Sequence, residues 1–91
     1  MVYEFCKYPD GTLVVFSDIK TDEAGIEKIW IRFERPTTIG FDTIVFELPT
    51  YNIIEKDGFY SDEEIEMFKT VVERGAAKFY KWARQGGIII A

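Results

Sequence analysis

Residues 61–87 read SDEEIEMFKTVVERGAAKFYKWARQGG, and the reading of this stretch decides the fold. Ser61 stands where a helix N-cap belongs, and Glu64 follows at the spacing of a capping box. Asp62, Glu63 and Glu64 put negative charge on the first turn. Lys78, Lys81 and Arg84 put positive charge near the end, where Gly86-Gly87 supplies a stop. At about 100° per residue, Ile65, Phe68, Val72, Ala76, Phe79 and Ala83 share one arc, with Val71 and Trp82 at its edge. An amphipathic helix over 62–85 follows, and its apolar arc must be buried against something. Gly75 lies within the arc, where glycine costs about 1 kcal/mol relative to alanine. That cost predicts close approach of the helix backbone to a large side chain of the sheet.

Everything before Ser61 alternates like strand. Val2–Tyr8 and Thr12–Ile19 flank Pro9-Asp10-Gly11, which fits a type I turn closing into a bulge and therefore a β-hairpin. After the polar loop Thr21–Gly25, residues 26–34 are rich in Ile, Trp and Phe and read as a third strand. Arg35–Gly40, with Pro36, reads as a loop, and 41–48 as a fourth strand ended by Pro49. Tyr51–Glu55 reads as a short fifth strand or an extended connection, and Lys56-Asp57-Gly58 turns the chain into the helix. The predicted architecture is α+β: residues 1–91 as one domain, a four-stranded (with Tyr51–Glu55, five-stranded) antiparallel sheet, and one long C-terminal helix across one face.

Period-2 alternation gives the sheet two faces. One takes Tyr3, Phe5, Leu13, Val15, Ile29, Ile31, Phe33, Ile44, Phe46 and Leu48, and is apolar enough to lie under the helix. The other mixes charges with large apolar groups. Val14, Phe16, Trp30, Arg32 and Val45 would cluster at its middle, with nothing in the sequence to cover them. Such a patch, with Trp and Arg inside a polar rim, is typical of protein interfaces. These five residues are the candidate interface. Lys and Arg stems shielding the aromatics are the alternative. Ile88-Ile89-Ile90, beyond the helix stop, would pair with a sheet edge or another chain, or simply pack.

Composition bounds the function. The 91 residues carry 47% hydrophobic and 30% charged side chains, as in an ordinary globular domain. No apolar run approaches the length needed to cross a bilayer, and the N-terminus lacks the pattern of a signal peptide, so no membrane association is expected. A single cysteine, Cys6, has no internal disulfide partner, which points to a reducing, cytoplasmic location. The net charge is −5. The helix holds as many bases as acids, so the excess lies in the strand-rich part, which repels nucleic-acid backbones and suits a basic protein partner. Lys78, Tyr80, Lys81, Trp82 and Arg84 do interleave bases with aromatics, so a small nucleic-acid binder is retained as an alternative.

Catalytic signatures are missing from the sequence. Histidine is absent, which removes the commonest general base and metal ligand. Cys6, in an alternating strand, reads as a small hydrophobe. Ser61 has a capping role, and neither it nor Ser17 lies in a nucleophile motif. Asp57-Gly58 with Asp62, Glu63 and Glu64 lacks the ligand spacing of a calcium loop. Carboxylates across strands, such as Glu4 with Glu47, are not singled out. No enzyme activity, cofactor or metal is expected.

The segment from Tyr3 through Pro9-Asp10-Gly11 to Phe16-Ser17-Asp18 resembles the opening hairpin of HicB-type antitoxins, proteins that neutralise a small basic RNase toxin. The similarity covers less than a fifth of the chain. It departs from the family where Ser17 replaces the proline of a Phe-Pro-Asp-like turn, and where further strands precede any helix. The resemblance implies an acidic inhibitor of a basic partner. The leading expectation from the residues themselves is a non-catalytic protein-interaction module, a homo-oligomer (most simply a homodimer) or the binder of one protein partner.

Overall fold

The computed structural model describes residues 1–88, which form one antiparallel sheet under a long helix. The strands are β1 (Val2–Lys7), β2 (Leu13–Ser17), β3 (Lys20–Thr21), β4 (Glu27–Thr37), β5 (Gly40–Leu48) and β6 (Ile53–Asp57); the helix α1 is Asp62–Arg84. Across the sheet the order is β1-β2-β4-β5-β6, with the short β3 also paired to β4. The α+β architecture is as the sequence predicts, but the sheet has more strands.

The extra strands have local causes. β2 and β3 lie along the same partner, β4, and are interrupted at Asp18-Ile19. Ser17 patches the interruption: its hydroxyl accepts the Trp30 N–H at 3.1 Å and donates to the Asp18 carbonyl at 2.8 Å. β6 pairs with β5 from Ile53 to Asp57. The expected loop Arg35–Gly40 is instead a tight hairpin, in which β4 and β5 stay paired out to Thr37 opposite Gly40. Pro36 is accommodated because β2 pairs with β4 only as far as Glu34, leaving no neighbour on that side to demand its missing N–H.

One expectation is reversed on β2. Val14 and Phe16 lie fully buried under the helix, whereas Leu13 and Val15 are on the opposite face. The register makes this plain: Val14 is opposite Phe33, and Phe16 opposite Ile31. Leu13-Val14-Val15-Phe16 is apolar at every position, so alternation carries no phase there, and pairing with β4 decides it. A bulge between Glu4 and Cys6 also shifts the parity of β1. Beyond it, Tyr8 packs toward the core and stacks at 6.3 Å on Phe68.

The core is an aromatic seam between sheet and helix. Phe33 stacks on Phe68 with ring centres 4.2 Å apart, and Phe16 meets Phe79 edge-on at 5.3 Å. Burial of such rings is the main stabilising term, about 25 cal/mol per Å² of apolar surface. Gly75 makes room for this seam, though not for a sheet residue. A Cβ there would sit 2.9 Å from the ring of Phe79, a helix residue one turn on and fully buried.

Both helix ends form as the sequence requires. Glu64 N–H donates to Ser61 Oγ at 3.2 Å and Ser61 N–H to Glu64 Oε1 at 3.0 Å, which completes the capping box. At the other end Gly86, at φ 83°, lets its own N–H reach the Ala83 carbonyl and that of Gly87 reach Trp82. This is a Schellman stop. Ile88 packs against the core; the expectation for Ile89 and Ile90 lies outside the described residues.

A charged node centred on Arg35 ties the helix start to the sheet. Its guanidinium gives Asp42 two hydrogen bonds, 2.7 and 3.1 Å, and donates to Glu64 Oε2 at 2.6 Å. Asp10 of the first turn stands 3.7 Å away, and the Tyr60 ring lies 4.5 Å beneath the guanidinium. Asp42 is buried and also accepts the Phe59 N–H at 3.0 Å. Gly58 is mandatory beside it: at φ 98° it already favours glycine, and a Cβ would fall 2.2 Å from Asp42 Oδ1.

Arg35 holds Asp42 below its ordinary 3.8, with the Phe59 N–H adding to the effect. Glu64 lies below its ordinary 4.5, chiefly through the Ser61 N–H and then Arg35. Carboxylates depressed in the folded state stabilise it above their unfolded values, and that contribution is lost as pH falls through the folded ones. Arg35→Met is therefore expected to lower the melting temperature at neutral pH and to flatten its decline below about pH 4. An acid limb as steep as the wild type's would contradict the node. Gly75→Ala tests the seam: helix propensity alone would raise the melting temperature by roughly 4–8 °C. The Phe79 clash is expected to reverse the sign, giving a fall of roughly that size.

Candidate functional site

The sheet face turned away from α1 is covered by no element among the described residues. Its middle row runs across five strands as Glu4, Val15, Arg32, Val45 and Glu55. The row on one side holds Leu13, Glu34, Thr43 and Asp57, and the row on the other holds Ser17, Trp30 and Glu47. A second bulge, in β6, leaves Ile54 unpaired, and Ile54 lines the hollows beside Trp30.

Of the five candidate interface residues, the structure brings three together here: Trp30, Arg32 and Val45. Val14 and Phe16 belong to the core. Their places are taken by Leu13, Val15 and Ile54, which the sequence reading missed. The register of β2 hides the first two, and Ile54 lies in Tyr51–Glu55, which reads as a short fifth strand or an extended connection with no face assigned to its side chains.

The face is less greasy than a list of its residues implies. Val15 and Val45 are only 8% and 6% exposed although no helix or strand among the described residues overlies them. Arg32 sits between them in register, and its guanidinium lies 5.2 Å over the Trp30 ring and 3.5 Å from Glu34. The register sets the aliphatic stem of Arg32 between the valines, where it can shield them, with Nε buried and the side chain 37% exposed. Lys28 bridges Asp22 at 3.6 Å and Glu47 at 3.7 Å at the margin. Trp30 remains half-buried, a ridge between two shallow hollows of about 190 and 180 Å³ that share Trp30 and Ile54. Such a surface suits docking by shape more than enclosure of a small molecule.

Other sequence candidates are placed as follows. Glu4 on β1 and Glu47 on β5 are separated by β2 and β4, about 14 Å at ordinary strand spacing, too far to share a proton. Cys6 is half-buried, and burial pushes its thiol upward, away from the thiolate needed for nucleophilic chemistry. Among the described residues no three Cys, Asp or Glu side chains gather to hold a metal ion. No helix among them is long and apolar enough to cross a membrane. The aromatics interleaved with the helix bases are otherwise engaged. Tyr80 hydroxyl donates to the Glu27 carbonyl at 2.7 Å, and Trp82 packs against Phe5, Phe16 and Phe79. Arg84 forms a two-pronged pair with Glu27 at 2.7 and 2.8 Å. Lys78 and Lys81 remain exposed without an aromatic partner for stacking bases.

No protein-family model, no curated protein and no solved structure matches this chain. Where the likeness to HicB-type hairpins ends, Phe16-Ser17-Asp18 leads into β3 and β4 and not into a helix.

Proposed function

We propose that this chain is a small non-catalytic protein-interaction module that self-associates through the sheet face centred on Trp30. The observation that carries the reading is a half-buried tryptophan ridge, capped by Arg32 and flanked by Ile54, on a face that none of residues 1–88 covers. Buried tryptophan and arginine are the residues that most often anchor interfaces.

A second copy is the occupant best supported by the charges. The middle row reads acid, valine, arginine, valine, acid, so both signs are present on one patch. Two copies related by a two-fold axis meet with the same patch on each side, and a patch carrying both signs can set Arg32 of one copy against an acid of the other. A uniformly acidic face would repel itself.

Light scattering over a concentration series tests this directly. The wild-type mass is expected to rise toward that of a dimer, and Trp30→Glu to return it to a monomer while leaving the melting temperature near that of the wild type's monomer. Lys78→Glu, on the exposed side of the helix, is the control and should leave association unchanged. A wild type that stays monomeric at high concentration, or a mass indifferent to Trp30→Glu, would rule the reading out.

A further inference from the structure

The strongest exposure of large apolar side chains is not on the Trp30 face but at the end of the molecule that carries the Arg35 node. Ile39, at the tip of the β4–β5 hairpin, is 88% exposed, and Phe59, between β6 and α1, is 82% exposed. Phe41 is also exposed. The three line one cleft of about 300 Å³ together with Thr37, Asp42 and Asp57 and the two glycines Gly40 and Gly58. Single exposed apolar residues need no explanation, but three converging on one cleft do. Thr38 and Ile39 take ordinary negative φ, so the turn accepts Ile39 without strain but gains no packing from a side chain left in solvent.

The backbone that carries Phe59 is held in place. Phe59 cannot swing with a loose loop, because its N–H is bonded to buried Asp42, Gly58 is packed against Asp42, and Tyr60 is buried under Arg35. With the backbone already fixed, docking has only the side-chain rotamers of Phe59 left to order.

Charge selects the occupant. Asp57 flanks Phe59 on one side, and Asp62 and Glu63 open the helix on the other, all exposed. Unlike Asp42 and Glu64, none of the three is held by a base among the described residues. Of the three, Asp57 lines the cleft itself, while Asp62 and Glu63 follow Phe59 at the helix start, where the dipole offsets about half a charge and the surroundings stay negative.

We propose that this cleft docks a basic segment of another protein, placing apolar side chains between Ile39, Phe41 and Phe59 and lysine or arginine against Asp57, Asp62 and Glu63. The cleft shares Asp57 with the margin of the uncovered sheet face but does not include Trp30, and it is tested separately.

A phage-displayed random peptide library selected against the full chain is the probe. Recovered peptides are expected to combine large apolar residues with Lys or Arg and to bind more weakly as salt rises. Phe59→Ser and Ile39→Ser should each weaken them roughly tenfold or more, with the melting temperature unchanged because both side chains are exposed. Asp57→Lys combined with Glu63→Lys should weaken them and remove most of the salt dependence. Trp30→Glu should leave binding intact, which separates this site from the self-association face. Recovery of no peptide, recovery of acidic peptides, or binding that survives Phe59→Ser and Ile39→Ser would each overturn the proposal. So would self-association that Phe59→Ser abolishes, since that would seat a second copy in the cleft.

Discussion

The helix is clasped to one strand at both ends, and the rest of the structure depends on that clasp. Glu64, on the first turn of α1, meets Arg35 near the end of β4; Arg84, on the last turn, meets Glu27 at its beginning. The lengths agree. Glu64 to Arg84 spans about 30 Å of helix, and Glu27 to Arg35 about 27 Å of strand. The helix therefore runs antiparallel to β4 and lays its apolar arc along the middle of the sheet. The outer pair is exposed and adds little stability on its own. The inner one differs, because Arg35 is shared with buried Asp42 and because one Glu64 carboxylate both caps the helix and accepts from Arg35.

Fixing the helix along β4 divides the molecule. One sheet face becomes core, and the other must be finished without a second layer. The Arg35 node also organises one end: Asp10, Asp42, Tyr60 and Glu64 come from four separate parts of the chain and converge on a single guanidinium, and Phe59 is tied in through its N–H on Asp42. The fixed backbone position of the exposed Phe59 is a consequence of that convergence.

The helix was fully legible in the sequence because its signals are local. Capping box, terminal charges, apolar arc and glycine stop all act within a few residues, and each is found where the sequence puts it. The hairpin at Pro9-Asp10-Gly11 was legible for the same reason. What was not legible depends on pairing between distant segments. Leu13–Phe16 offers apolar residues to both faces, so only its partner strand fixes which pair is buried. Arg35, read as part of a loop, becomes the structural hub only when β5 brings Asp42 opposite it. The Gly75 signal was real but its object was not: helical spacing alone places Phe79 over it, a same-helix neighbour that the reading passed over in favour of the sheet.

The error on β2 bears on how the uncovered face is built. With Val14 and Phe16 there, it would have been a broad apolar patch on a molecule with one helix to spend. The actual register sends the phenylalanine into the core and leaves the smaller Val15 outside, opposite Arg32. A long cationic side chain between two valines then does part of what a second layer would otherwise do, limiting water at their methyl groups while its guanidinium stays partly exposed. Trp30 is the part of the face that this arrangement does not fully cover. Arg32 lies over its ring, but a cation–π contact at such a surface is worth only about 0.5–1 kcal/mol and can be exchanged for contacts with a partner. The face is thus closed enough for the isolated chain to remain folded and open enough, at Trp30 and Ile54, for another surface to displace water from it.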